Sequence, residues 1–371
     1  MKVALVYDRV NKWGGAERVL LALHELFPDA PLYTSVHNPK KASWAKVFAI
    51  RSSFLQKFPL ASSMHEAYPY VMPFVFESFS FDAYDLVISV TSEAAKGILT
   101  KPHTKHICYC LTPTRYLWSG YGDYFSNPIF RLLSRPVVSY LRYWDKKAAQ
   151  RPDVYLAISE EVKKRIAEYY GQDATVLYPP ITLSSREKLA PHQEKEPYFL
   201  IVSRLVPYKH IELAIKACNA LKVPLKIIGS GSQESMLRQI AGPTIELLGN
   251  LTDTQVIRYY SGSYALIFPG KEDFGLTVLE SQKFGKPVIA YRGGGALETI
   301  VDGKTGTFFF PQTEKALEKT LRRFIKEHKG LSTVAYRQKY EKACKEQAKK
   351  FEKVIFKKQF LSFIEKLDNN K

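Results

Sequence analysis

Short apolar runs alternate with amphipathic stretches along almost the whole chain. Residues 2–7, 32–36, 85–90, 105–110, 154–158 and 175–178 are apolar runs bounded by polar or turn residues. That is the pattern of strands covered on both faces. Between them, residues 14–26 keep Val19, Leu20, Leu23 and Leu26 on one face and predict a helix. Further helices are predicted over 92–99, with Ser92 as cap, over 128–151, and from Ser159 onward. After residue 197 the alternation repeats, with strands predicted at 199–202, 225–228, 245–248, 265–268 and 288–290 and helices between them. From Thr313 the chain reads as nearly all helix. Strand–helix alternation of this kind builds a parallel sheet covered by helices, so each half is predicted to be a doubly wound, Rossmann-like α/β unit, with the ligand cleft between the two.

Two stretches break the alternation. Residues 181–197 are polar, with Pro191, His192 and Pro197, and read as the linker between an N-terminal domain, 1–180, and a C-terminal domain, 198–348. Residues 51–81 carry Phe54, Phe58, Tyr68, Tyr70, Phe74, Phe76, Phe79 and Phe81 among Pro59, Pro69 and Pro73. Prolines forbid one long helix, so short helices and loops are expected there, their aromatics half-buried in a core or facing a lipid.

The chain has 371 residues, ample for two cores. No run approaches the ~18 apolar residues of a spanning helix, and residues 1–8 are too short for a signal peptide and meet Asp8 at once. A cytoplasmic protein is expected. Four cysteines fit reduced thiols better than a disulfide framework. With 54 Lys and Arg against 36 Asp and Glu the net charge is +18, and residues 315–371 alone contribute +10. Such a balance points to an anionic substrate, an anionic membrane face or nucleic acid, unless it is simply a solvated helical surface.

Candidate chemistry gathers in the second half. Residues 264–268 form an apolar strand; Pro269 to Gly275 form a loop; a helix begins near Gly275 and Leu276. A helix start exposes unpaired N–H groups and partial positive charge, a place for phosphate. Glu272 precedes the helix, and Glu280 sits about one turn inside it. A carboxylate repels phosphate, so the two would grip hydroxyls on either side of it. A nucleotide-sugar has that layout. Arg204 and Lys209, five residues apart after the 199–202 strand, supply cations for a diphosphate. Gly229 to Ser232 and Gly293 to Gly295 are glycine turns after other strands, and neither is a dinucleotide fingerprint. Gly14 and Gly15 open the first helix, where backbone can approach a charged ligand closely.

Glu272 and Glu280 with Phe274, Gly275 and Leu276 between them, together with Arg204 and Lys209, resemble the signature of retaining glycosyltransferase family 4, which has the GT-B fold. Over nearly the whole chain the resemblance is to the mannosyltransferase-like branch of bacterial surface polysaccharide assembly, echoed in residues 14–19, 108–110, 112–113, 115–116 and 178–180. The resemblance implies that Glu280 holds ribose, Glu272 the hexose, and Arg204 and Lys209 the diphosphate, with Arg204, Lys209 and Glu272 catalytic. It implies that Gly14 and Gly15 face the diphosphate, that Gly229 lies on the nucleotide side, that the 293–295 turn supports the donor pocket, and that a last helix, 349–371, crosses back to the first domain. It further implies transfer of a hexose, mannose from GDP-mannose first, to a glycan or lipid-linked acceptor. Asp-x-Asp, the usual metal-holding pair, is absent; the two cations and the helix start can do that work, and neither metal nor cofactor is expected. Nucleic acid is not an expected partner. Residues 54–81 and the basic surface are the candidates for peripheral contact with an anionic membrane, which would carry a lipid-linked acceptor.

One position departs from that branch, which places a histidine after Cys108-Tyr109-Cys110. Here Leu111 stands there, and a leucine side chain neither donates nor accepts a hydrogen bond. His103 and His106 lie on the incoming strand and are not expected to replace it. Two other readings stand beside transfer: a GT-B sugar-nucleotide epimerase and, because of Leu111, a non-catalytic nucleotide-sugar or glycan binder.

Overall fold

The computed structural model describes residues 1–125, 127–183, 197–328 and 333–369. The chain divides into two units, one of Met1–Pro180 with Phe356–Lys371, the other of Ile181–Ile355.

The first unit holds β1 (Val3–Tyr7), β2 (Leu32–Thr34), β3 (Ile50–Ser52), β4 (Leu86–Thr91), β5 (Lys105–Cys110), β6 (Val154–Ala157) and β7 (Thr175–Val176). They form one parallel sheet in the order β3-β2-β1-β4-β5-β6-β7. Every residue of β1 and β4 is buried, as a strand covered on both faces requires. The chain winds outward from β1 to β3, then restarts at β4 on β1's other side. The topological switch point, where open parallel sheets bind ligands, thus lies between β1 and β4. β3 was not expected from the sequence: it is a three-residue edge strand with two exposed residues, too short for periodicity to reveal.

The second unit has β8 (Phe199–Val202), β9 (Leu225–Ile228), β10 (Ile245–Gly249), β11 (Ala265–Phe268), β12 (Val288–Tyr291) and β13 (Gly306–Phe309). The order β10-β9-β8-β11-β12-β13 is again all parallel, and its switch point lies between β8 and β11. Alternate residues feed two cores, one per face. Phe199, Ile201, Leu225, Ile227, Ala265, Ile267 and Ile289 join the helices 211–221 and 314–328. Leu200, Ile228, Leu266, Phe268, Val288 and Ala290 join Val256, Tyr260 and Val278. β13 adds a strand beyond the five read from the sequence.

Two sequence expectations need correction. Residues 92–99 form no α-helix, only a 3-10 turn at Ala95–Gly97. Asp8 reaches across from β1 and accepts the Ser92 and Ala95 N–H groups at 2.7 and 2.9 Å, which holds the segment against the sheet. The last helix is not continuous from 349: the Thr333–Lys349 helix ends, Phe351 O accepts the Ile181 N–H at 2.9 Å, and a new helix runs Lys353–Asn369. That helix packs in the first unit, Phe356 edge-on to Tyr109 at 6.0 Å and Lys357 paired with Glu25 at 3.2 Å. Of the expected linker, 184–196 lie outside the described residues, and Ile181 and Leu183 are buried in the second unit.

The 51–81 stretch forms 3-10 turns at Phe54–Lys57 and His65–Ala67 and a short helix, Met72–Glu77. Its aromatics divide. Phe76 and Phe81 are core and Phe79 packs on them, whereas Phe54, Phe58, Tyr70 and Phe74 are exposed.

Candidate active site

In the second unit the loops after β8 and β11 flank the switch point. The first carries Arg204 and Lys209; the second carries Glu272, Phe274 and Gly275. Lys209, at the end of a 3-10 turn over Pro207–Lys209, is buried, and its ammonium forms an ion pair with the Glu272 carboxylate. The loops are in backbone contact as well: a Cβ on Gly270 would stand 2.9 Å from Lys209 Cα. Arg204 is exposed, and its guanidinium donates to Tyr208 Oη at 2.5 Å.

Gly275, at φ +91°, turns the chain into the helix Leu276–Lys283, which no side chain caps. The helix thus starts directly on the loop that carries Glu272, with no side chain on its first N–H groups. Phe274 is buried and packs on Phe351 at 5.7 Å. Leu276 is half-buried. Glu280 is buried on the helix and accepts a hydrogen bond from Tyr260 Oη at 2.9 Å. Tyr260, itself stacked on Phe284, could not be found from the sequence, because it comes from the Asp253–Gly262 helix.

Two glycine turns press on this crevice. Gly229 follows β9, where a Cβ would lie 1.9 Å from the Ser203 carbonyl oxygen. Gly294 and Gly295 follow β12; a Cβ on Gly294 would lie 2.2 Å from Glu272 O, and one on Gly295 would lie 2.3 Å from Phe274 Cα. The Gly295 N–H donates to Glu272 O at 2.9 Å. The second turn thus sets the position of the Glu272–Gly275 loop through the backbone, which explains Gly294 and Gly295; a Cβ on Gly293 would instead meet the Tyr291 ring at 2.8 Å.

Gly14 and Gly15 lie in the first unit, at the start of the helix Gly15–His24. A Cβ on Gly14 would stand 3.2 Å from Glu17 Oε2, and Glu17 accepts from Tyr7 Oη at 2.6 Å. The crevice between β1 and β4 is stitched by charged groups the sequence did not single out. Asp8 takes Thr91 Oγ1 at 2.8 Å, and Arg9 pairs with Glu93 at 2.5 Å. Burial, then Glu93, raises the Asp8 carboxyl above its ordinary range. Burial and the Arg9 charge push His65 down to about 4, so it is neutral at pH 7.

Leu111 lies at the carboxyl end of β5, its N–H donating to Thr91 O at 2.8 Å. Neither nearby histidine takes its place. His106 is inside the sheet against Ser89 Oγ at 2.7 Å, pushed by burial to about 3, and His103 contacts the Asp82 carbonyl at 3.2 Å.

Residues 185–351 match the family described as "Glycosyl transferases group 1". The D-rhamnosyltransferase WbpZ of Pseudomonas aeruginosa is 27% identical over 218 residues, 54% of this chain and 56% of that protein. The GDP-mannose-dependent α-(1-6)-phosphatidylinositol monomannoside mannosyltransferase of Mycolicibacterium smegmatis is 26% identical over 185 residues, 42% of this chain and 48% of that protein. The chain spans about half the length of the curated relatives it matches. Among solved structures, HepE of Anabaena in complex with UDP and glucose aligns over 99% of this chain and 100% of its own, with a TM-score of 0.72 at 17% identity. The fold is GT-B.

Proposed function

We propose that this chain, whose second half carries the group 1 glycosyl transferase match, is a retaining, metal-independent glycosyltransferase. It moves a hexose from a nucleotide-sugar to a glycan or lipid-linked sugar, with mannose from GDP-mannose the leading donor. The observation that carries the reading is the Lys209–Glu272 pair beside the uncapped Leu276–Lys283 helix, with Glu280 one turn in. The mannosyl donor draws support from the named activity of the Mycolicibacterium relative. The protein works in the cytoplasm, peripherally on the inner face of the cell membrane where its acceptor is lipid-linked.

The donor's phosphates take the helix start and the cations. Until the donor arrives, Glu272 is the counter-ion of Lys209; the diphosphate then replaces it, and Glu272 turns to hexose hydroxyls. Glu280, fixed by Tyr260, receives the ribose hydroxyls. As the anomeric carbon–phosphate oxygen bond breaks, Lys209 and Arg204 stabilise the negative charge on the leaving diphosphate. The acceptor hydroxyl attacks from the same face and gives its proton to the departing phosphate oxygen. That route needs no side-chain base, so Leu111 is compatible with it. Leu111 also favours a second reading, a nucleotide-sugar binder without turnover.

The test is turnover of a nucleotide-sugar panel, GDP-mannose included, by mass spectrometry. Transfer or slow donor hydrolysis, unchanged by EDTA, is expected. A changed sugar without acceptor would mean an epimerase, binding without turnover a binder, and EDTA-sensitive transfer a metal site. The glycine turn gives a second expectation: Gly295→Ala displaces the Phe274 backbone and should cost on the order of 10²-fold in kcat/KM, the scale of a 1 Å misplacement. Wild-type kinetics in Gly295→Ala would break the link between this turn and the site.

A further inference from the structure

Thr114, four residues beyond the end of β5, donates its hydroxyl to Asp145 Oδ1 at 3.0 Å, near the end of the Pro128–Ala148 helix. A helix that joins two parallel strands, here β5 to β6, runs antiparallel to them. The turns before Asp145 therefore stand beyond the carboxyl ends of the first sheet, with Arg142 about 4.5 Å and Arg131 about 21 Å along the axis at 1.5 Å per residue. That is the end on which open parallel sheets take ligands.

Arg131, Arg135, Ser139 and Arg142 fall within an arc of about 80° on this helix, beside its buried face. With Tyr121 and the buried Val138 they line a cavity of about 310 Å³. Ile129, Leu133 and Tyr140 stand exposed on the opposite side and take no part in it. Arg131 and Arg142 lie over the Tyr121 ring at 5.1 and 4.6 Å. Arg142 also lies over Trp118 at 5.6 Å, and its Nε donates to Leu117 O at 2.7 Å. These contacts fix two of the three guanidinium planes. Among the described residues none of the three arginines has a carboxylate within ion-pair distance, and residues 111–144 hold four arginines against one acid, Asp123. Like charges one turn apart on a helix repel, so these guanidiniums destabilise the helix until an anion bridges them.

We propose that this cavity binds a phosphorylated sugar, and that the acceptor of the transfer carries that phosphate. Charge selects the group. A phosphate monoester brings a charge of about −1.5 to −2 and three acceptor oxygens, which guanidiniums meet with paired N–H donors. A single carboxylate would leave most of the positive charge unmatched. Size selects what bears the group. The volume reaches the lower end of the roughly 300–1,000 Å³ of small-molecule sites, so there is room for a sugar ring against Tyr121 and Val138, with the Ser139 hydroxyl for one of its own. The donor-side residues Arg204, Lys209, Glu272 and Glu280 all belong to the second unit. The acceptor role therefore rests on the transferase reading above, whereas the binding site does not.

Calorimetry on the full chain tests it, with mannose 6-phosphate as the probe and mannose, glucuronate and inorganic phosphate beside it. Mannose 6-phosphate should bind, more weakly as salt is added; glucuronate and inorganic phosphate should bind at least roughly tenfold more weakly, and mannose not at all. Arg131→Gln and Arg135→Gln should each weaken mannose 6-phosphate binding roughly tenfold, and the pair about 100-fold, the scale of one lost charge-assisted contact each. Both positions are exposed, so the unfolding midpoint and GDP-mannose binding should keep their wild-type values. Arg204→Ala should bind mannose 6-phosphate as wild type does. Loss of that binding in Arg204→Ala but not in the double variant would place the probe in the donor site and overturn the proposal. So would inorganic phosphate or glucuronate binding as tightly as mannose 6-phosphate, which would make the cavity a site for any free anion. Binding of phosphatidic acid vesicles without binding of mannose 6-phosphate would put the phosphate on a lipid, with the same consequence. Donor turnover with no mannose 6-phosphate binding counts against this site alone. Mannose 6-phosphate binding with no turnover of any donor upholds the site and counts against the transferase reading.

Discussion

Lys209→Ala should lower turnover by about 10²–10³-fold, the scale for removing one preorganised donor that stabilises charge developing in a transition state. Two effects act in the same direction. The variant loses the cation that meets the leaving diphosphate, and it leaves Glu272 without its counter-ion beside that diphosphate. Arg204→Ala should fall in the same range. Arg204 is exposed and its guanidinium is bonded to the neighbouring Tyr208 hydroxyl, so its loss should leave stability unchanged. Glu280→Ala should act differently. Ribose contacts change little between ground and transition states, so the loss should appear in donor binding more than in kcat. Glu280 is also buried against Tyr260 Oη, so Glu280→Ala will cost about 1–3 kcal/mol of stability for the orphaned hydroxyl, and unfolding must be measured alongside. Steady-state kinetics with varied donor separates the cases. Turnover-only defects of equal size in all three variants would contradict this division of labour.

How much of this was legible in the sequence depends on distance along the chain. The strands were readable because buried parallel strands are continuous apolar runs, as in β1, β4 and β11. β3 and β13 were not: both are edge strands, β3 of three residues with two exposed and β13 with its two middle residues only half-buried. The second-half loops were readable because Arg204 and Lys209, like Glu272 and Glu280, are close in sequence and tied to a strand end. Their mutual contacts were not. Lys209 meets Glu272 across 63 residues, and Tyr260 reaches Glu280 from another helix. The helix expected at 92–99 failed for a similar reason: Asp8, more than 80 residues away, claims its N–H groups. Local propensity from Ser92 had no access to that competitor. The 128–151 helix was legible as a helix, but its exposed apolar face was not, since periodicity shows that faces differ and not which one meets the core.

Asp145→Ala should be the most destabilising single change in the first unit, by about 3–5 kcal/mol, because it leaves a buried charge without its partner. Asp145 and Lys96 are both almost fully buried and lie 2.5 Å apart. The carboxylate also accepts Thr114 Oγ1 at 3.0 Å, Trp118 Nε1 at 2.7 Å and Tyr170 Oη at 2.9 Å. It therefore pins the segment after β5 to the 128–148 helix. Burial alone would lower the Lys96 pKa; the adjacent Asp145, by charge and hydrogen bond, leaves it raised above 10.5. A raised folded-state pKa means the contribution is whole below the unfolded value near 10.5 and is lost as pH rises through the folded one. At neutral pH the pair is thus fully formed, and alkali above pH 10.5 should erode it. All four tryptophans, Trp13, Trp44, Trp118 and Trp144, are in the first unit, so urea unfolding followed by tryptophan fluorescence reports that unit alone. Lys96→Met/Asp145→Leu should recover much of the loss, since an apolar pair of similar volume removes the desolvation penalty together with the attraction. A double variant as unstable as Asp145→Ala would show that the hydrogen bonds to Thr114, Trp118 and Tyr170, and not the ion pair, hold the segment in place.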